Sequence, residues 1–160
     1  MVAKNCYEFS FATASGESLP LANFKGKVML VVNTASFCGF TKQYANLEQL
    51  HKKFRDQGLV IIAVPSNDFG EQEPKDNQEI QSFCQINFGV SFLVVAKEAV
   101  KGPNAHPFYQ WAKASLGFFA APKWNFHKYL IGRDGKLLDY FMSTTSPNNP
   151  RVIKAIEAAL

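Results

Sequence analysis

The sequence predicts an α/β fold in which helices flank a central mixed β-sheet. Two continuous runs of apolar, mostly β-branched residues, 28–34 and 59–64, predict strands that are buried on both faces. Apolar residues at helical spacing separate the two runs. Further on, an Asp-Gly turn joins two alternating segments and indicates a hairpin. The 160 residues suit a single domain, which we expect to span 1–160.

The first elements are a hairpin and a buried strand. Residues 7–12 alternate weakly in hydrophobicity and precede a turn at Ser15-Gly16, which predicts a small N-terminal β-hairpin. The segment VMLVVNT, 28–34, then predicts the first strand of the central sheet.

A helix and a second strand come next. From Thr41 to Gln57 four apolar side chains recur at helical spacing, namely Tyr44, Leu47, Leu50 and Phe54. Gly58 ends that pattern, and LVIIAV, 59–64, predicts the second buried strand. Residues 76–88 predict another helix, because Asp76 and the Glu three positions later resemble a capping box.

The C-terminal half completes the sheet. Residues 92–96 predict a short third strand, and residues 105–115 predict a helix. Segments 127–132 and 136–141 flank Arg-Asp-Gly and predict a hairpin, and Asn149-Pro150 opens a last helix. The inward positions of that helix are Val152, Ile153, Ile156 and Leu160. This order of elements matches a thioredoxin-like arrangement.

Composition and charge exclude several classes of function. Hydrophobic residues make up 47% and charged residues 19%, which is typical of a globular protein. The net charge is +4, but the lysines are scattered without a run of five like charges, so we expect no nucleic-acid surface. No apolar run is long enough to span a membrane. Residues 1–9 show no secretory signal, so we expect a cytoplasmic protein.

The three cysteines are Cys6, Cys38 and Cys84. An odd, small number does not suit a secreted disulfide framework, and neither a CxxC pair nor a Cys/His cluster with metal-ligand spacing occurs. We therefore expect no metal and no cofactor. In a reducing compartment, the cysteines are either buried structural residues or reactive thiols.

Cys38 lies between a predicted strand and a predicted helix, in NTASFCGFT. The carboxyl end of a strand is where α/β folds present functional groups, and a helix N-terminus stabilises negative charge. A thiol placed there is expected to ionise readily and to react. The alternative is that Cys38 packs a strand end as a small buried residue, and position alone leaves both possibilities open.

Three segments resemble the motifs of glutathione peroxidases. Residues 33–41 resemble that family's peroxidatic-cysteine motif, 65–74 (PSNDFGEQEP) its second motif and 123–130 (KWNFHKYL) its third. Their order and spacing also match. The resemblance implies a thioredoxin-like peroxidase whose catalytic residues are Cys38, Gln72, Trp124 and Asn125. The amide and indole groups of the last three can donate hydrogen bonds to a thiolate or a peroxide.

The resemblance also gives Cys84 a role. Its segment, EIQSFCQINFGV, is similar to the resolving-cysteine segment of family members that form an internal disulfide and are recycled by thioredoxin. Such members reduce hydrogen peroxide and organic hydroperoxides. Because Cys84 falls on the apolar face of a predicted helix, it could instead be a core residue, with glutathione as the reductant. A redox sensor or relay is a further alternative. A disulfide with Cys38 implies that 76–90 opens locally.

Several positions depart from the family pattern. Ser66 stands where many thioredoxin-dependent members have Cys, and Asp68 where they have Gln. Asp68 could hinder ionisation of the nearby thiol or could merely face solvent. The stretch from Trp111 to Trp124 is short and lacks the insertion of tetrameric, glutathione-using members. The resemblance therefore implies a monomer, or at most a weak dimer, with a site open to a protein reductant. Cys6 lies outside every motif and is interpreted as a bystander.

Overall fold

The computed structural model describes residues 3–160. Its strands are β1 (Ser10–Ala12), β2 (Ser18–Pro20), β3 (Val28–Thr34), β4 (Leu59–Pro65), β5 (Leu93–Val94), β6 (Lys128–Ile131) and β7 (Leu137–Phe141). Its α-helices are α1 (Gln43–Phe54), α2 (Asn77–Phe88), α3 (Pro107–Leu116) and α4 (Pro150–Ala159).

The central sheet has the order β5-β4-β3-β6-β7. Strands β3, β4 and β5 run parallel, whereas β6 pairs antiparallel with both β3 and β7. Strands β1 and β2 form a separate antiparallel hairpin. The predicted fold, a mixed sheet flanked by helices with an N-terminal hairpin, is therefore confirmed.

Several element boundaries differ from the prediction, and the structure explains three of them. The hairpin starts at Ser10, because residues 6–8 form a 3-10 turn capped by the Asn5 side chain. Helix α3 starts at Pro107, because the His106 ring caps it by accepting the Phe108 N–H. Strand β5 has only two residues instead of five and pairs with β4 through Leu93 and Val94.

Alternating residues of β3 face two hydrophobic cores. Val28, Leu30 and Val32 pack with α1, α2 and α4 on one face of the sheet. Met29 and Val31 pack with α3 and the N-terminal hairpin on the other face. Every residue of β3 is buried, which explains why this strand is continuously apolar rather than alternating.

The sheet brings the three sequence motifs to one edge. Thr34 and Pro65 are paired at the carboxyl ends of β3 and β4, so the loops that follow both strands leave the sheet side by side. Because β6 runs antiparallel to β3, the segment that enters β6 arrives at the same edge. Two backbone hydrogen bonds, Phe126 N–H to Asn33 O (2.6 Å) and Asn33 N–H to His127 O (3.3 Å), join this segment to β3.

Candidate active site

Cys38 lies in a tight turn that precedes α1. Its side chain is half-buried, and its sulfur accepts a hydrogen bond from the Phe40 N–H at 3.3 Å. The Thr41 hydroxyl accepts the Cys38 N–H at 2.9 Å and donates to the Ala35 carbonyl at 2.9 Å, which closes the turn. The helix begins at Gln43, two residues later than predicted. The backbone N–H that binds the sulfur, that of Phe40, therefore belongs to the preceding loop and not to the helix.

Gln72 and Asn125 come together beside this turn. The Asn125 side-chain amide donates to the Gln72 Oε1 at 3.0 Å and to the Phe69 carbonyl at 3.4 Å. The Gln72 carbonyl accepts the Phe37 N–H at 3.0 Å, which ties the second motif to the residue before Cys38. Because Asn125 holds the Gln72 oxygen, the Gln72 –NH₂ group remains available as a donor.

Trp124 lies beside Gln72 and belongs to a third loop. Asn33 donates from its side-chain amide to the Trp124 carbonyl at 3.0 Å and so fixes the backbone at this position. The indole lies against Gly70, where an added Cβ would come within 2.9 Å of the Trp124 Cη2 and 3.5 Å of the Gln72 Cγ. The absence of a side chain at Gly70 therefore lets Trp124 and Gln72 lie together.

Two backbone conformations at the site are unusual. Within residues 3–160, Glu71 (φ 53°) and Phe126 (φ 66°) are the non-glycine residues with positive φ. One immediately precedes Gln72 and the other immediately follows Asn125. Left-handed backbone costs about 1–2 kcal/mol for such residues and tends to occur where side chains must be aimed. The strain here lies on the two residues that orient the paired amides.

A buried lysine supports the strained turn. Lys128 is fully buried, and its Nζ donates to the Phe126 carbonyl at 2.6 Å and the Met142 carbonyl at 3.3 Å. Burial lowers the pKa of Lys128 to about 7. The Lys128 ammonium group thus fixes the carbonyl of Phe126, the left-handed residue that follows Asn125.

Cys84 lies on α2 and is 1% exposed. Burial raises the pKa of its thiol to about 11. Cys38 and Cys84 are both free thiols in this structure. The predicted capping box is confirmed, with Asp76 accepting the Glu79 N–H at 2.8 Å and the Glu79 carboxylate accepting the Asp76 N–H at 3.2 Å.

Asp68 and Cys6 have structural surroundings. The Asp68 carboxylate accepts the backbone N–H groups of Val100 (2.6 Å) and Lys101 (3.2 Å), so it anchors a neighbouring loop. From the sequence, Asp68 was expected either to hinder ionisation of the Cys38 thiol or to face solvent. A role in anchoring this loop was not among those alternatives. Cys6 is completely buried, and burial raises its pKa to about 12, which suits an unreactive thiol.

Sequence reasoning missed three residues that organise the site. Asn33 and Thr41 position the loops through hydrogen bonds, and Glu73 is a fully buried carboxylic acid next to Gln72. The signal for Asn33 is a polar residue within an otherwise apolar strand run. Glu73 gives no comparable signal, because a Glu in a polar loop is ordinarily exposed.

Solved structures show the class of fold. A thioredoxin-family thiol:disulfide interchange protein from Chlorobium tepidum aligns with a TM-score of 0.68 at 15% identity, over 94% of this chain and 92% of that one. At this identity the likeness concerns the fold alone. The chain therefore has a thioredoxin-like fold, with a half-buried thiol after its central strand.

Comparisons with known proteins narrow the class to a family. The family model described as glutathione peroxidase matches residues 6–113. A relative from Lactococcus lactis named glutathione peroxidase is 46% identical, over 89% of this chain and 92% of its own. The glutathione peroxidase-like peroxiredoxin gpx1 of Schizosaccharomyces pombe is 45% identical over the same shares. The solved structure of apo Trgpx aligns with a TM-score of 0.78 at 36% identity, over 98% of this chain and 96% of that one. The chain therefore belongs to the glutathione peroxidase family and is a thiol peroxidase.

Proposed function

We propose that Cys38 reduces hydrogen peroxide and organic hydroperoxides, that Cys84 resolves the oxidised Cys38 to an internal disulfide, and that thioredoxin reduces this disulfide. One observation carries the proposal. The pair Gln72–Asn125, joined at 3.0 Å, lies beside the turn of one free thiol, while a second free thiol is held in the core against which Cys38 packs.

The first step is a displacement at oxygen. The Cys38 thiolate attacks one peroxide oxygen, the O–O bond breaks, and the departing oxygen leaves as water or an alcohol after taking up a proton. Cys38 becomes a sulfenic acid. Gln72 and Trp124 would donate hydrogen bonds from the amide and the indole to the peroxide oxygens. Asn125 positions Gln72, because its own amide hydrogens already bind Gln72 and Phe69.

The second step joins the two cysteines and needs α2 to open. A disulfide requires Cα atoms within roughly 7 Å and suitably directed side chains, and Cys84 begins inside the core. Helix α2 is weakly anchored for such a motion, because only two of its side chains, Ile80 and Cys84, are fully buried. Ile86 is 83% exposed. Few buried apolar contacts favour local opening.

Thioredoxin is the proposed reductant. Relatives at 44–45% identity in two yeasts are named glutathione peroxidase-like peroxiredoxins. A protein reductant also suits a monomer with an accessible thiol, and Phe37 beside Cys38 is 55% exposed. Glutathione is the competing reductant, favoured by the name of the Lactococcus relative. None of the helices in residues 3–160 combines the length and the hydrophobicity that a membrane span requires.

An apolar groove supports organic hydroperoxides as substrates. Phe40, Trp124 and Met142 line a groove of about 160 Å³ that borders the proposed catalytic indole. Met142 is 50% exposed, so the groove opens to solvent. An alkyl chain could lie there while its hydroperoxide reaches Cys38. A relative from Synechocystis, 41% identical, is named hydroperoxy fatty acid reductase.

The test is peroxide-dependent NADPH consumption, coupled through thioredoxin and its reductase or through glutathione and its reductase. Wild type and the variants Cys38→Ser, Cys84→Ser and Cys6→Ser are compared. Loss of thioredoxin-coupled turnover in Cys38→Ser and Cys84→Ser, with Cys6→Ser unaffected, supports the proposal. Turnover with glutathione that survives Cys84→Ser contradicts it. Stoichiometric mixed disulfides with a partner protein and poor turnover would instead favour a redox relay.

A further inference from the structure

The apolar groove beside Trp124 is formed by loops that are distant in sequence. Two segments supply most of its lining, namely residues 123–127, which lead into β6, and residues 142–144, which follow β7. Phe40, from the turn of the reactive thiol, supplies the rest. The shape of the groove therefore depends on how the segments 123–127 and 142–144 are held relative to each other.

Lys128 connects these two segments. It is the first residue of β6, pairs with Val32 of β3 and has 0% exposure. Its Nζ donates to the Phe126 carbonyl at 2.6 Å and to the Met142 carbonyl at 3.3 Å. One buried amine on a central strand thus binds the backbone of both groove segments.

A second buried side chain holds the 142–144 segment. Gln43, the first residue of α1, donates from its side-chain amide to the Ser143 carbonyl at 2.7 Å, and both residues are buried. Two consecutive carbonyls, those of Met142 and Ser143, are therefore bound from the sheet and from α1. The Met142 side chain, which lines the groove, remains half-exposed on this fixed backbone.

A lysine is a destabilising choice for the interior unless its amine has a task. Among residues 3–160 the ion pairs are Lys52–Glu48 and Arg55–Asp56, so Lys128 has no carboxylate partner there. A methionine of similar length would fill the space without burying a charge. Burial lowers the pKa of Lys128 to about 7, but even the neutral amine keeps two N–H groups for the two carbonyls. Linking the loops is therefore what the amine adds.

We propose that Lys128 and Gln43 are positioning residues that shape the groove to receive the organic group of a hydroperoxide, an alkyl or aryl substituent about the size of a benzene ring. The groove measures about 160 Å³ and exposes a predominantly apolar surface. A protein cavity of roughly 150 Å³ with apolar walls accommodates benzene. The inference rests on the proposed function, in which Cys38 reacts with organic hydroperoxides beside Trp124. Hydrogen peroxide has no organic group, so the groove favours organic substrates over it.

The test compares single-turnover oxidation of Cys38 by cumene hydroperoxide and by hydrogen peroxide. Loss of the thiol is followed by alkylation of quenched samples and mass spectrometry. The ratio of the two rate constants, cumene hydroperoxide over hydrogen peroxide, should fall about tenfold in Lys128→Met and several-fold in Gln43→Met, because one methylene of contact in an apolar pocket changes discrimination by about tenfold or more. Met142→Ala should also lower it. Leu138→Ala is the matched control, because Leu138 is equally exposed on β7 but does not line the groove.

The ratio separates a role in the groove from a role in stability, because a loss of folded protein lowers both rates equally. Equal slowing with both peroxides in Lys128→Met would mean that Lys128 only supports Asn125 and the fold, and it would overturn the proposal. An unchanged ratio in Lys128→Met also overturns it. If that variant does not fold, an unchanged ratio in Gln43→Met or Met142→Ala is the overturning result.

The measurement ends at the first chemical step, so its outcome does not depend on the resolving cysteine or on the reductant. A wild-type protein whose Cys38 reacts with neither peroxide would instead contradict the proposed function, which is a distinguishable result.

Discussion

Replacing Gly70 by alanine tests whether the position of Trp124 matters for the reaction with peroxide. Gly70 has φ +68°, and an added Cβ would lie 2.9 Å from the Trp124 Cη2. Ordinary van der Waals contact begins near 3.4 Å, so the indole must shift by at least about half an ångström. Since a misplacement of 1 Å can cost about a hundredfold in rate, we expect roughly tenfold slower oxidation of Cys38.

Gly102→Ala is the matched control for this substitution. Gly102 has φ +74°, close to that of Gly70, but an added Cβ would meet nothing within 4 Å. Both variants should therefore lose about 1–2 kcal/mol of stability from left-handed alanine, as measured by urea unfolding. Only Gly70→Ala should slow the stopped-flow reaction with peroxide. Equal peroxide rates in the two variants would refute the reasoning that the Gly70–Trp124 contact sets the geometry of the site.

Three other outcomes are expected. Asn125→Ala frees the Gln72 oxygen and should lower the rate of Cys38 oxidation ten- to a hundredfold in stopped-flow assays, with disulfide formation unchanged. Lys75→Met removes cation–π contacts with Phe37 (5.1 Å) and with Phe83 of α2 (5.5 Å), which restrain the helix. Mass spectrometry of quenched samples should therefore show disulfide formation up to about tenfold faster. An unchanged rate would mean that these contacts do not restrain α2. Burial lowers the pKa of His127 to about 4. Between pH 6.5 and pH 4 the unfolded chain therefore binds a proton at this histidine that the folded chain does not bind. The free energy of unfolding should fall by about 3 kcal/mol over this range. Urea unfolding of His127→Gln should not show this fall in stability. Identical pH profiles of stability in the wild type and His127→Gln would contradict the prediction.

The elements with strong local signals were predictable from sequence. Strands β3 and β4 are continuous apolar runs because both of their faces are covered, and the capping box of α2 is a purely local motif. Strand β5 was predicted too long. Its existence depends on pairing with β4, a long-range contact that periodicity does not record.

The residues of the site were predictable by resemblance, but their interactions were not. Nothing in the motif PSNDFGEQEP indicates that the Glu73 side chain turns into the core while the side chain before it remains half-exposed. Nor does the sequence show that Asn125 donates its amide hydrogens to Gln72 and Phe69. Both facts depend on how three loops meet at the sheet edge, which is tertiary packing rather than local preference.

The sparse anchoring of α2 bears on how a reductant would recognise its target. If Cys84 leaves the core to pair with Cys38, α2 loses one of its two fully buried side chains. The oxidised enzyme would then present a loosened segment and newly uncovered apolar surface, whereas the reduced enzyme presents a closed helix. A reductase that binds the loosened form would be released when the helix closes again, so the two oxidation states differ in shape as well as in chemistry.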